Sequence, residues 1–398
     1  MSMPTLTADP TFGLDPYAFA ETHLSEPARA ALGRLQVVLD RDISPLLAEA
    51  WETASMPSEV LDALIPLDLM RPDGVNATEA SSSMFSGFRN YVLARTDVSV
   101  ATLYNAQSGL FRSAVALGGS PAQVAELDPR IASFGLRGVF ALTEPDHGSD
   151  IARGLATTAR RDGDAWILDG EKKWIGGAAA SDVLAVFARD VDDDAVKAFL
   201  VPTDAPGVTI EAIHGKVSLR PVPNALIQLD GVHVGDASRL EQVNGWRDVS
   251  RILRAMRSDV AWIAAGLQAG ALEAAVRYVR ERQQFGRPLA GFQLVQEKIA
   301  RMLGNTTSSL ALVVQLSLQQ DRGEWADENS ALAKMQTARL ARETVALGRE
   351  VLGGNGILLE HEVARFFADA EAVYSYEGTH EINSLIVGRA VTGSSAFT

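Results

Sequence analysis

Tyr-Ser-Tyr-Glu-Gly-Thr-His-Glu-Ile, residues 374–382 of this 398-residue chain, is a glycine-containing turn that leads directly into a predicted helix. Ile382, Leu385 and Ile386 share one face of that helix. Glu377 stands beside two tyrosines, so we expect its carboxylate to be poorly solvated and its pKa to rise towards values useful to a general base. A loop glutamate that simply faces water is the other interpretation, and the rest of the chain has to distinguish the two.

The composition argues against several kinds of partner. A hydrophobic fraction of 47% and a charged fraction of 22% are typical of a globular protein, and the length suits two or three domains. The net charge of −14 disfavours nucleic acid and anionic membrane surfaces, because both repel an acidic protein. The absence of cysteine excludes disulfides and thiolate chemistry, and it fits a cytoplasmic location.

Neither a membrane span nor a metal site is expected. The sequence contains no run of about 18 apolar residues, and its first residues lack the basic and apolar regions of a secretory signal. The six histidines are scattered without close pairs, so they predict no metal site.

The hydrophobic period changes twice along the chain. Helical spacing prevails at first, short strands separated by Asp, Gly and Pro follow, and helical spacing then returns. We therefore predict an α+β protein with three domains: N-terminal helices over 1–136, a central β domain over 137–245 and a C-terminal helical bundle over 246–398. The short strands favour a small barrel or sandwich.

Elements inside these domains can also be predicted. Asp162-Gly163-Asp164 separates two strands as a hairpin turn. The C-terminal bundle is expected to contain three or four antiparallel helices, the last of them over about 380–393.

Common nucleotide and hydrolase motifs are absent from the sequence: there is no GxGxxG after a strand, no GxxxxGK[ST], no GxSxG and no HExxH. Four other segments remain, at 141–150, 172–177, 282–293 and 353–356. Taken singly, they are open to ordinary interpretations, such as a turn with a core tryptophan, an interhelical salt bridge or a helix C-cap.

The order and spacing of these segments along the chain are more specific than any one segment alone. The matching residues are ALTEPxxGSD at 141–150, KVSLR at 216–220, RxxxAW at 257–262, RxxFGxPL at 282–289, LGGNGI at 352–357 and EAVYSYEGTHEINSLIVGRAVTG at 371–393. Together they resemble the acyl-CoA dehydrogenase family, with motifs most similar to its glutaryl-CoA dehydrogenase branch. The resemblance covers nearly the whole chain.

The resemblance implies an enzyme with N-terminal helices, a central β-barrel and a C-terminal four-helix bundle. It implies a homotetramer in which FAD lies between the β domain and the bundle. In such enzymes of fatty acid metabolism a base, here Glu377, removes the α-proton of an acyl thioester while the β-hydrogen leaves as hydride to flavin N5. The substrate would be an acyl-CoA or an acyl-carrier-protein thioester, and the electron acceptor an electron-transferring flavoprotein.

The resemblance also implies roles for individual residues. FAD would be bound by Phe140, Leu142, Thr143, Gly148, Ser149, Trp174, Ile175, Gly176, Arg282, Phe285, Gln293, Glu350, Gly353, Gly354, Thr379, His380 and Glu381. The substrate would be contacted by Ala101, Ser149, Arg257, Gly378 and Phe397.

Three positions depart from the family pattern. Gly176 stands where the family usually has a threonine near flavin N5, and His147 stands where a small residue is usual. Ala101 aligns with the arginine that binds the second carboxylate of glutarate. Because a buried charge without a partner is costly, a glutaryl group should bind poorly, and we expect an uncharged short or medium acyl group.

Other functions remain open at this point. They are a decarboxylating glutaryl-CoA dehydrogenase, a flavin oxidase or monooxygenase of the same fold, and a non-catalytic scaffold without FAD. Gly176 is the reason for keeping the oxidase, whereas Glu377 and Arg282 argue against the scaffold.

Overall fold

The structure is a computed structural model that describes residues 6–396. The chain divides into two compact units. Unit 1 comprises Met1–Thr102, Val217–Pro221 and Arg257–Thr398, and unit 2 comprises Leu103–Lys216 and Val222–Met256. The three domain boundaries inferred from the hydrophobic period stay predictions.

The secondary structure alternates as the hydrophobic period predicts. The α-helices are α1 (Phe19–His23), α2 (Glu26–Val38), α3 (Ser44–Thr53), α4 (Glu59–Leu64), α5 (Ala77–Ala80), α6 (Ser83–Thr96), α7 (Val98–Asn105), α8 (Arg112–Gly118), α9 (Pro121–Ala132), α10 (Ile151–Gly154), α11 (Trp246–Glu281), α12 (Gln293–Asp321), α13 (Asp327–Leu352), α14 (Val363–Ser375) and α15 (His380–Thr392). The strands are β1 (Gly138–Ala141), β2 (Thr158–Asp162), β3 (Ala165–Gly176), β4 (Val183–Asp190), β5 (Val196–Pro202), β6 (Val208–Ala212), β7 (Asn224–Gly235), β8 (Gln283–Gln284) and β9 (Arg287–Pro288).

Helix α6 is central to unit 1, since every residue from Gly87 to Ala94 is buried. Ser82 begins the helix, because its side chain accepts a hydrogen bond from the N–H of Phe85. Gly87 lets α11 approach closely: a Cβ atom at this position would lie 2.2 Å from the ring of Trp262. The Trp262 indole N–H donates to Ser317 Oγ of α12 at 3.0 Å, so three helices meet here.

Among residues 246–396 there are five α-helices, α11 to α15, where three or four were expected. The additional helix is α14. Its first residue follows Glu362, which has a φ of 56° and no side-chain cap, so the sequence carries no N-cap signal. Helix α14 ends at Ser375, which places Tyr374 and Ser375 in its last turn rather than in the loop predicted from the glycine.

Unit 2 is built on one seven-stranded sheet with the order β1-β4-β2-β3-β7-β6, in which β5 also pairs with β4, in antiparallel direction. Strands β2 and β3 form the antiparallel hairpin predicted around Gly163, with Asp162 opposite Ala165. A hydrophobic core of valines, leucines and aromatic rings lies on the sheet and includes Trp166, Phe199 and Ile227. A second core joins α8, α9 and the first turns of α11 to β4 and β5.

No α-helix among residues 6–396 is long and apolar enough to cross a membrane.

Candidate active site

Glu377 lies in unit 1, in the short turn between α14 and α15. Its φ is 52° and that of Gly378 is 95°, so two successive residues have left-handed backbone. Glycine adopts this conformation readily, whereas a glutamate there is strained. Thr379 then begins α15, because its hydroxyl accepts a hydrogen bond from the N–H of Ile382 at 3.2 Å. A strained residue that the surrounding structure holds in place is typical of functional sites.

The carboxylate of Glu377 has little solvation. Its Oε2 atom is buried and makes no hydrogen bond within residues 6–396. Burial and, after it, the negative charge of Asp259 raise the pKa of Glu377 to about 8, against the opposing effect of Lys334 and Arg257. The direction agrees with the expectation from the neighbouring tyrosines. A carboxylate with such a pKa can accept a proton near neutral pH.

Two buried side chains hold the turn around Glu377. Lys334 of α13 donates to the carbonyl oxygens of Tyr374 at 3.0 Å and Gly378 at 2.7 Å. The amide of Asn383 donates to the oxygens of Gly378 at 2.9 Å and Thr379 at 3.1 Å. The backbone on both sides of Glu377 is therefore fixed from two helices.

The residues predicted to contact FAD after this turn lie in the first turn of α15. The ring of His380 stacks on Tyr374 with centroids 4.7 Å apart, and its buried Nδ1 has no hydrogen-bond partner in the described part of the chain. Glu381 is exposed, and its own backbone N–H, followed by the hydroxyl of Thr379, lowers its pKa. Helix N-termini favour anions, so this position suits a phosphate or a polarised hydroxyl.

Further predicted cofactor residues of unit 1 lie on exposed turns. The two-residue strands β8 and β9 form a hairpin with Phe285 at its tip, where the side chain is 92% exposed. Arg282 and Gln293 flank this hairpin and are also exposed. Glu350 forms an ion pair with Lys298 at 3.3 Å near the end of α13. Gly353 and Gly354 follow with open space around them.

In unit 2 an ion pair orders the loop predicted to contact FAD. Lys172 is fully buried and donates to Glu144 Oε1 at 2.8 Å and to the carbonyl oxygen of Leu142 at 3.2 Å. The same carboxylate accepts from the N–H groups of Ala156 at 2.7 Å and Thr157 at 2.8 Å. Because both buried charges are paired, the loop has a fixed path. Neither Glu144 nor Lys172 is among the predicted site residues.

The remaining predicted residues of this loop differ in exposure. Leu142 is buried, whereas Phe140 is half-buried and packs on Phe187 with ring centroids 4.8 Å apart. The carbonyl oxygen of Thr143 accepts a hydrogen bond from the backbone N–H of Lys173 at 2.8 Å. Gly148 has open space beside it and Ser149 is exposed.

Trp174 lies on β3 just before the end of the strand. It has a φ of 68°, its side chain is 53% exposed, and its carbonyl oxygen accepts from the Asn224 amide at 3.1 Å. Ile175 beside it is buried, so only the tryptophan ring projects into solvent. Gly176 ends the strand.

The residues predicted to contact the substrate differ in burial and in position. Ala101 is fully buried in α7, and Gly378 belongs to the strained turn. Arg257 is half-buried in α11, and its charge acts on both Glu377 and Lys334. Phe397 lies outside the described residues.

The sequence motifs do not single out Lys334, Asp259 and Asn383, although each carries a recognisable signal. Each is a charged or amide residue at a position where the helical period calls for an apolar side chain. Such residues are rare in a helix interior unless they are paired or functional.

Comparisons with known proteins agree with this fold. The family model "Acyl-CoA dehydrogenase, C-terminal domain" matches residues 243–392, and "Acyl-CoA dehydrogenase, middle domain" matches residues 139–232. A probable acyl-CoA dehydrogenase of Bacillus subtilis is 31% identical over 88% of this chain and 93% of its own length. A 3-(aryl)acrylate reductase of Clostridium sporogenes is 30% identical over 87% of this chain and 94% of its own length.

A solved structure is similar over almost the entire chain. It is a glutaryl-CoA dehydrogenase from Mycobacterium smegmatis in complex with FADH2, with a TM-score of 0.90 and 31% identity over 98% of this chain and 100% of that one. The predicted order of N-terminal helices, a central β domain and C-terminal helices is thereby confirmed. The chain therefore belongs to the acyl-CoA dehydrogenase family of FAD-dependent oxidoreductases.

Proposed function

We propose that this protein introduces an α,β double bond into an acyl thioester, with Glu377 as the base that removes the α-proton. The main support for this proposal is the environment of the Glu377 carboxylate. Its Oε2 atom is buried and makes no hydrogen bond within residues 6–396, and the residue lies on a strained turn. Burial raises the pKa of Glu377 to about 8, so the group accepts a proton near neutral pH. A glutamate with only a structural role would be paired instead.

The groups present fit FAD. Trp174 offers an exposed ring at a strand end, which suits the face of a flavin. The buried Nδ1 of His380 lacks a partner among residues 6–396 and lies at a helix N-terminus, which suits a phosphate or ribose oxygen. Gly353 and Gly354 carry no side chain and have open space beside them, so a nucleotide can approach their backbone. When bound, FAD supplies the acceptor for the hydrogen and two electrons that leave the substrate β-carbon.

The turn also positions a donor for the thioester. The α-proton is a weak acid, so its removal requires hydrogen bonds to the carbonyl oxygen that strengthen as enolate charge develops. The backbone N–H of Glu377 has no backbone acceptor within residues 6–396. We assign this N–H to the thioester oxygen, while the carboxylate of the same residue takes the α-proton.

The acyl group is proposed to be uncharged and short or medium in length, bound to CoA or to a carrier protein. Ala101, which aligns with the glutarate-binding arginine of related enzymes, is small and fully buried. Its methyl group offers no counter-charge to a second carboxylate, and an unpaired buried charge costs several kcal/mol.

The test is an anaerobic titration of the purified yellow protein with a panel of acyl-CoAs and acyl-carrier thioesters, glutaryl-CoA included. Glu377→Gln is expected to retain FAD, because the amide has the same shape, and to lose bleaching of the flavin absorbance. Exposed Glu324 provides the matched control, so Glu324→Gln should bleach like the wild type. Undiminished bleaching by Glu377→Gln would contradict the assignment of the base, and efficient turnover of glutaryl-CoA would contradict the uncharged acyl group.

A further inference from the structure

Lys334 places one ammonium group against both ends of the turn that carries Glu377. The side chain is fully buried in α13, and its Nζ donates to Tyr374 O at 3.0 Å and to Gly378 O at 2.7 Å. One acceptor lies before Glu377 in the chain and the other lies directly after it. The ammonium group of Lys334 therefore links the two ends of the Tyr374–Gly378 segment through hydrogen bonds.

The two acceptors are groups that need a donor. The carbonyl of Tyr374 belongs to the last turn of α14, where carbonyl oxygens have no partner within their own helix and carry the negative end of the helix dipole. The carbonyl of Gly378 directly precedes Thr379, which begins α15. A lysine ammonium has three donors and a positive charge, so it satisfies both carbonyls.

Lys334 binds the backbone and leaves the carboxylate of Glu377 available. Oε2 of Glu377 makes no hydrogen bond within residues 6–396, yet the charges of Lys334 and Glu377 attract each other. Burial lowers the pKa of Lys334 to about 8, while Glu377 and Glu381 oppose this shift and Arg257 adds to it. The cation thus acts on Glu377 through its charge, while its hydrogen bonds go to the backbone of the turn.

We propose that Lys334 is the positioning residue of the base: its hydrogen bonds fix the Tyr374–Gly378 turn, and its charge favours the ionised form of Glu377. This inference rests on the proposed function, because it assumes that Glu377 is the base. The hydrogen bonds of Lys334 go to the backbone of the turn, so its role is exerted through Glu377.

Variants of Asn383 and Lys334 distinguish the effect of hydrogen bonds to the turn from the effect of the charge. Its amide donates to Gly378 O at 2.9 Å and to Thr379 O at 3.1 Å, so it holds the same turn without any charge. Asn383→Leu removes hydrogen bonds from the turn, whereas Lys334→Gln removes the charge and keeps amide donors. Lys334→Met removes both the charge and the donors.

The experiment compares kcat as a function of pH in these variants, with FAD content measured for each. Lys334→Met should lower kcat roughly 10- to 100-fold, because a small misplacement of a catalytic group has an effect of this size. Both Lys334 variants should shift the acid limb of the profile to higher pH, by about one unit, because loss of a nearby cation makes Glu377 harder to ionise. Asp259 and Arg257, the other charges that act on Glu377, are unchanged throughout.

Two further variants complete the comparison. Asn383→Leu should lower kcat and leave the acid limb in place, since the charge near Glu377 is intact. Lys197 provides a matched lysine in unit 2, paired with Asp190 and Asp193, so Lys197→Met should leave both quantities unchanged.

An acid limb that stays in place in Lys334→Gln, or shifts equally in Asn383→Leu, would overturn the proposal. So would failure of Lys334→Gln to fold and bind FAD, because Lys334 would then stabilise the fold rather than the base. Activity in Glu377→Gln would instead contradict the proposed function itself, so the two failures are distinguishable.

Discussion

Burial, together with charges on other helices, sets the pKa of Glu377. Its pKa is raised to about 8 by burial and then by Asp259, and it is lowered by Lys334 and Arg257. Asp259 and Lys334 belong to α11 and α13, so their effect on Glu377 depends on how these helices pack. The tyrosines beside Glu377 predict a raised pKa, but the sequence alone does not indicate which charged groups lie near the carboxylate.

A pH dependence follows from Asp259. In the proposed mechanism activity requires the ionised carboxylate of Glu377, so activity should rise as pH increases through its pKa of about 8. Asp259→Asn removes a negative charge, which lowers this pKa and should shift the acid limb of kcat to lower pH. The shift is therefore opposite in sign to that of the Lys334 variants.

Steady-state rates between about pH 6 and pH 10 span this limb on both sides of the pKa. Asp193→Asn, an exposed change in unit 2, is the control and should leave the profile unchanged. An acid limb that moves upward or stays in place in Asp259→Asn would show that the two carboxylates do not interact.

At the scale of elements, the sequence predicts most helices and fails at α14. Its buried residues Val363, Phe366, Ala370 and Val373 follow the helical period, so the periodic signal is present. The start of α14 is not recognisable from the sequence, because the helix lacks an N-cap side chain and follows a glycine-rich segment. The π-helical segment Ala106–Phe111, which joins α7 to α8, has no sequence signal that we recognise.

The contact of α6 with α11 depends on the absence of a side chain at Gly87. A Cβ there would lie 2.2 Å from the Trp262 ring, so Gly87→Ala should reduce the free energy of unfolding by about 1–3 kcal/mol through overpacking. Gly304 lies in α12, where an added Cβ would have nothing within 4 Å, so Gly304→Ala should increase that free energy by about 0.5–1 kcal/mol. Urea denaturation measures both values, and equal effects of the two changes would contradict the close approach of α6 and α11.

At the scale of the whole molecule, the order of helical and strand regions is predicted from the hydrophobic period, and the family from its motifs. The strand order is not predictable in this way, because β1 pairs in parallel with β4 across two intervening strands in the sequence. Val217–Pro221 belongs to unit 1 although its neighbours in sequence belong to unit 2. Leu219 is held there by a hydrogen bond from its N–H to Asp369 at 2.6 Å, a pairing between distant residues.

Several expectations about the whole molecule stay predictions. They are the homotetramer, the cytoplasmic location, the electron-transferring flavoprotein as acceptor and the roles of the individual FAD and substrate residues.

The left-handed backbone of Glu377 has a consequence for natural selection. A side chain in this conformation costs roughly 1 kcal/mol that glycine avoids, and the buried carboxyl adds a second cost. Because its folded pKa of about 8 exceeds the ordinary 4.5, the folded state binds the extra proton, and this group's contribution to stability falls as pH rises from about 4.5 through 8. Selection for stability alone would therefore replace this glutamate, whereas the proposed role of Glu377 as the base gives a reason for its retention.

Glu377→Gly should accordingly give an inactive protein that unfolds at higher urea than the wild type, with a larger gain at about pH 9 than at about pH 5. Urea denaturation of both proteins at the two pH values measures this difference. A variant that is less stable than the wild type at the higher pH would show that the turn is not under strain, and that the base carries no cost for the fold.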